Sequence, residues 1–172
     1  MVDDTQTTQE YPGVDVVYDA VQARTQAQDQ QIATLDAKAL AALTSASLLV
    51  GGTAALMKII LPNTLAANQM LPISVGATGA VALYAIIVIA VVFAYRPRTY
   101  SRAPTPKALV LNYCHEQPAK VKGVVARTMA KAYKHNVAII EAKARWTFVA
   151  LIVLAIEAIW LAIWLGVVVT QV

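Results

Sequence analysis

Apart from Lys58 and Glu157, every acidic or basic side chain of this protein lies within residues 3–38 or 96–145. Two long stretches are therefore almost free of charge. A chain so arranged cannot surround a core with water-soluble surface on all sides. Its 172 residues are 58% hydrophobic and 14% charged, against roughly 45–50% and about 25% in an ordinary soluble domain. The class this implies is an integral membrane protein.

A helix rising ~1.5 Å per residue needs about 20 apolar residues to cross a ~30 Å hydrocarbon layer. Residues 39–61 meet that requirement as a first transmembrane helix. Lys58 stands at its far end, where its stem can lie among apolar groups while the ammonium reaches the headgroups. Pro62-Asn63 stops the helix, and residues 63–69 form a short polar turn. Pro72 opens a second transmembrane helix, 72–95, at a position where a missing N–H costs little. Tyr95-Arg96-Pro97-Arg98 closes it, with a tyrosine at the interface and arginines outside. The third transmembrane helix covers 146–169 and is broken in composition only by Glu157.

The polar segments also read as helix. Residues 1–13 are a disordered tail ending in Tyr11-Pro12-Gly13. Residues 14–38, without Pro or Gly and rich in Ala and Gln, form an acidic helix. Its apolar Val14, Val17, Val21, Ile32 and Leu35 make a broken stripe, which predicts weak packing. A Pro-rich linker occupies 96–118, with Pro97, Pro104 and Pro106 holding its first part extended. A basic helix, 119–145, then carries Val121, Val125, Thr128, Ala132, Ile139 and Ile140 at helical spacing and runs directly into the third span. The expected fold is all-α, with three transmembrane helices and a two-helix cytoplasmic stalk of coiled-coil character.

Orientation follows from the basic segment. Residues 96–145 carry a net charge of +9 and the 62–71 turn carries none, so the basic segment stays inside. That places the N-terminus in the cytoplasm as well, and the C-terminus outside a bacterial inner membrane. Residues 1–38 carry a net −5. The two polar helices can therefore attract each other, or the basic one can meet anionic lipid or an anionic small molecule. Nucleic acid is not an expected partner, because no aromatic stacking platform accompanies the basic surface.

Glu157 lies eleven residues in from Trp146, ~16 Å at helical rise, near the expected bilayer midplane. A carboxylate there is costly and should face protein or water. Tyr84 lies equally far from Tyr95, so a hydrogen bond between Tyr84 and Glu157 is expected; lining of a pore or an oligomer interface is the sharper alternative. Glu157, Trp160 and Trp164 share a helix face. On the first span Ser47, Gly51 and Ala55, flanked by Ala42, Ala46 and Ala54, form a seam of small residues suited to close helix packing. Asp36 and Lys38 straddle the start of the first span, and Lys143 and Arg145 that of the third; anchoring at the membrane boundary is their expected role. Asn136 can pair within the stalk. One cysteine, Cys114, and two histidines, His115 and His135, give no metal-ligand cluster. No phosphate loop and no nucleophile–base pair stands out, so no metal, cofactor or catalytic site is expected and the protein is read as a non-enzyme.

Leu35-Asp36-Ala37-Lys38-Ala39, Tyr95-Arg96-Pro97-Arg98, and the stretch from Ala132-Tyr133-Lys134-His135-Asn136 through Lys143-Ala144-Arg145-Trp146 resemble small bacterial membrane proteins related to the Pycsar effector transmembrane family. The resemblance covers about residues 30–170. It implies a helical membrane effector of anti-phage signalling that responds to a cyclic nucleotide by impairing the inner membrane; because three helices cannot enclose a pore, such an effector is expected to oligomerise. The alternative is an accessory or scaffold subunit of a larger membrane complex, with a small transporter subunit ranked last.

Overall fold

The computed structural model describes residues 13–60, 67–96, 99–101 and 116–170. The expected tail before Gly13, the segment 61–66 and most of the linker, with Cys114 and His115, lie outside the described residues. Everything regular among them is helix: α1 Val14–Ile60, α2 Ala67–Tyr95 and α3 Pro118–Val169. Each of the three is long and apolar enough to cross a membrane. α1 and α3 pass from polar into apolar sequence without a break, since neither transition contains a helix-breaking residue.

The second apolar span, Leu71–Tyr95, stands where expected, but its helix starts earlier than expected. α2 begins at Ala67 rather than Pro72, so the helix takes in the last part of the expected polar turn and Pro72 sits inside it. A proline this early removes one backbone bond, and the long apolar run after it still favours helix.

The chain divides into two units. One comprises residues 1–31 with 98–139, and the other residues 32–97 with 140–172. In the first, α1 and α3 run in the same direction. Asp15 meets Lys122, Nζ to Oδ1 2.6 Å, and thirteen residues further on the Gln28 side chain donates to the Tyr133 carbonyl at 3.2 Å. α1 turns Val14, Tyr18, Val21, Thr25 and Gln28 inward, at alternating steps of four and three, the repeat that keeps one helix seam against a partner. The stripe read as broken is therefore continuous. Tyr18, Thr25 and Gln28 fill its gaps, and Val17 is not in it but 54% exposed. Gln28, 5% exposed, is tolerated because a buried amide with a carbonyl partner escapes most of the desolvation penalty. Asn136 makes a two-point clip: its Oδ1 accepts from the Ser101 N–H and its Nδ2 donates to the Ser101 carbonyl, both at 2.9 Å. That clip fixes the described part of the linker.

The second unit holds three helices, with α2 antiparallel to the other two. The same repeat appears on each. α1 buries Ala39, Ala42, Ala46, Thr53 and Met57. α2 buries Gly76, Ala80, Ile87, Ala90 and Ala94. α3 buries Lys143, Thr147, Ala150, Glu157, Leu161 and Val168. Ala42, Ala46, Ile87, Ala90, Val91 and Ala150 form one core cluster, with Tyr84, Trp146 and Leu154 packed on it. Alanines on facing helices let the backbones approach closely, so a single large side chain, Ile87, suffices to fill the centre. Leu48, Ile59, Val81, Val92, Phe148 and Ile163 remain exposed around the outside, leaving an apolar perimeter.

Two glycines on α2 are there for space. A β-carbon on Gly76 would overlap the Trp164 indole, and one on Gly79 would stand 2.6 Å from Trp160. A β-carbon on Gly51 or Gly52 of α1 meets nothing within 4 Å. In detergent-solubilised protein, Gly76→Ala is therefore expected to cost about 1–3 kcal/mol through overpacking and lower the melting temperature. Gly51→Ala should leave it equal or slightly higher. Thermal unfolding followed by tryptophan emission and circular dichroism checks both. In the first unit, the hydrogen bond to Asp15, and then the attraction of its charge, hold Lys122 above the ordinary lysine range. Because the folded value is raised, the stability this pair adds is present in full below the ordinary lysine range and lost as pH rises through the folded value. Asp15→Asn should abolish that alkaline dependence in a pH titration of helix content.

Candidate functional site: the polar layers of the three-helix unit

The second unit carries its polar side chains in layers. At the first of these, Asp36 of α1, Tyr95 of α2 and Lys143 of α3 meet. Lys143 Nζ lies 2.6 Å from Asp36 Oδ1, its side chain 8% exposed against 33% for Asp36. The Tyr95 hydroxyl donates to the Asp36 carbonyl at 2.8 Å. The ammonium also stands 5.8 Å from the Tyr95 ring centroid, within cation–π range. Asp36 and Lys143 thus face each other. Lys38 and Arg145, two residues along from each, are exposed. The difference is angular: two residues are about 200° of helix, so only one of each pair can face the partner.

One turn further in, Phe93 stacks on Trp146 with centroids 4.8 Å apart. Below that layer the Tyr84 hydroxyl meets Ser47 Oγ at 3.1 Å. Ser47 Oγ also donates to the Leu43 carbonyl at 2.9 Å, one turn back in its own helix. Thr44 and Thr147 make the same backward bond, to Leu40 and Lys143. Hydroxyls in apolar surroundings are satisfied this way without a second helix. The expected Tyr84–Glu157 bond is therefore replaced by Tyr84–Ser47. The cause is register. Trp146 stacks on Phe93 and Trp160 reaches Gly76, which sets Glu157 level with Ala80, about one turn beyond Tyr84.

The small-residue seam of α1 is divided between a buried and an exposed side. Ala42 and Ala46 are buried, but Ser47, Gly51, Ala54 and Ala55 are exposed. Small residues occur on both sides of α1, and the close approach uses Ala39, Ala42 and Ala46. At the far end the tryptophans bridge α3 to α2. Trp160 Nε1 donates to the Gly76 carbonyl at 3.1 Å and Trp164 Nε1 to that of Pro72 at 3.0 Å. An indole N–H packed against a neighbouring helix needs an acceptor, and the main-chain carbonyls of Gly76 and Pro72 supply it.

Glu157 sits between these layers. It is wholly buried, and neither carboxyl oxygen has a hydrogen-bond partner among the described residues. No charged residue lies between Lys38 and Lys58, between Lys58 and Arg96, or elsewhere after Arg145. A carboxylate so placed would carry the full cost of an unpaired buried charge. Among the described residues no group of His, Cys, Asp or Glu could hold a metal ion. The residues that sequence reasoning missed are Gln28, Tyr18 and Thr25, whose position in the four-three repeat was the available signal, and the partners of Tyr95, Trp160 and Trp164, for which there was none.

No protein family, no curated protein and no solved structure matches the chain.

The Asp36–Lys143 pair is expected to be coupled. Asp36→Ala strands a nearly buried ammonium and should cost about 1–3 kcal/mol, scaled down from a fully buried pair for the exposure of Asp36. Lys143→Ala should cost a similar amount, and the double variant clearly less than the sum. A double-mutant cycle of denaturation in mixed micelles measures the coupling, and strict additivity would show that the pair contributes nothing.

Proposed function

We propose that this protein is a non-enzymatic, oligomerising protein of the bacterial inner membrane that acts as an effector by impairing that membrane. The observation that carries this reading is Glu157, fully buried and without a partner among the described residues, in the middle of a three-helix unit whose perimeter is apolar. Three helices cannot enclose an aqueous path, so permeabilisation requires several copies. A helix bundle holding one unsatisfied carboxyl gains by any rearrangement that gives that carboxyl water or a partner. Assembly that turns Glu157 toward a shared lumen does so. The positive-inside rule puts the N-terminus and the 96–145 segment in the cytoplasm. There the exposed Arg127, Lys131 and Lys134, which make no salt bridge among the described residues, supply a surface for an anionic small-molecule trigger.

A second reading, an accessory subunit of a larger complex, draws support from the exposed Leu48, Gly51 and Ala55 on α1, a face open to a foreign helix. Induced expression in cells loaded with a membrane-potential dye tests the effector reading. The expected result is depolarisation by the wild-type protein and a strongly reduced response with Glu157→Gln, which keeps the size of the side chain but cannot ionise. Polarised cells at high expression, together with stoichiometric co-purification of unrelated chains, would favour the subunit reading instead.

A further inference from the structure

Among the described residues, one face of α1 in the first unit stays exposed, and its pattern is not that of an ordinary solvated surface. Val16, Ala20, Ala23 and Ala27 are all exposed and follow one another at steps of four, three and four. This second seven-residue seam lies on the side of the helix opposite the buried Val14, Tyr18, Val21, Thr25 and Gln28. Val16 is 72% exposed, a large apolar side chain open at one end of the seam.

The charges beside this seam identify what covers it. Asp19 flanks one edge and Arg24 the other, and neither makes a salt bridge among the described residues. Asp19 adds only a weaker pull on Lys122. When two like-directed helices coil about such a seam, the flanking residue of one meets the residue five positions further along on the opposite edge of its partner. Five positions beyond Asp19 is Arg24. The two-fold symmetry of a pair of identical helices makes the contact twice, Asp19 to the partner's Arg24 and back. Gln26 and Gln31 repeat the spacing one heptad later and can exchange side-chain hydrogen bonds. With the helices running in opposite directions, each edge would meet its own copy, setting Asp19 against Asp19 and Arg24 against Arg24. Copies inserted in one membrane share a direction, so the arrangement that the charges favour is also the one available.

We propose that residues 16–31 of α1 form a parallel, two-fold interface with the same residues of a second copy of this chain, registered by reciprocal Asp19–Arg24 pairs. This rests on the oligomerising reading above and names the surface through which it acts. Exposed ion pairs add little affinity each, so the pairs set direction and register while Val16 and the alanines supply the contact.

Cross-linking of the full chain in native membranes tests it, in a Cys114→Ser background. Ala23→Cys should form a disulfide-linked dimer rapidly with copper phenanthroline, and Ala27→Cys likewise. Gln22→Cys, exposed but turned about 130° from the seam, should not. Asp19→Arg alone or Arg24→Asp alone should lower the Ala23→Cys dimer yield about threefold or more, and the two swaps together should restore it. Circular dichroism on each variant confirms that α1 is intact. Equal cross-linking at Ala23 and Gln22, or swaps that fail to rescue each other, overturns the interface. Native mass separates the two levels: a homo-oligomer without the Ala23 cross-link removes this surface alone, while a single-copy mass removes the oligomerising reading with it.

Discussion

A polar group surrounded by apolar side chains has no solvent to bond with, and the second unit is organised around that constraint. Thr44, Ser47 and Thr147 return their hydroxyls to carbonyls of their own helix. Tyr84, Tyr95, Trp160 and Trp164 cross to a neighbour. Lys143 finds Asp36. Each crossing also fixes how far one helix is slid along the next, so satisfying the polar groups and setting the register are one process. Among the described residues Glu157 has neither a hydrogen bond nor an ion pair for either carboxyl oxygen, and it stands where the function proposed for the protein needs an unstable point.

The packing between these layers depends on small residues. Ala42, Ala46, Ala90 and Ala150 let three helices close on Ile87, and Gly76 and Gly79 make room for two indoles on the opposite helix. The pairing is reciprocal: the bulk of Trp160 and Trp164 is accommodated only because α2 lacks side chains there. Their N–H groups then use the carbonyls that this lack exposes. In the first unit the spacing rule is the same but the seam is more polar, and Gln28 and Asn136 serve there as specific pins rather than filler.

Much of this was legible in the sequence. The positions of Lys38, Lys58, Arg96 and Arg145 bounded the three apolar segments because a charge inside hydrocarbon is costly at any packing. The continuity of α1 and α3 followed from the absence of Pro and Gly at the polar-to-apolar transitions. The start of α2 was misplaced because proline at a helix start and proline in an early turn look alike in sequence. The stripe of the acidic helix looked broken because Tyr18, Thr25 and Gln28 are not apolar, although they occupy its positions.

What the sequence determined alone was therefore the number and apolarity of the helices and the isolation of Glu157 as a charge among uncharged residues. These depend on composition along the chain. Which face of each helix turns inward was decided only by the tertiary structure. In a helix that is apolar all round, the side against protein and the side away from it carry the same residue types. Ala46 and Gly51 are indistinguishable by chemistry, yet one is buried and the other open. The choice rests on register, and register is set by pairs far apart in sequence: Asp36 with Lys143, Ser47 with Tyr84, and Gly76 with Trp160.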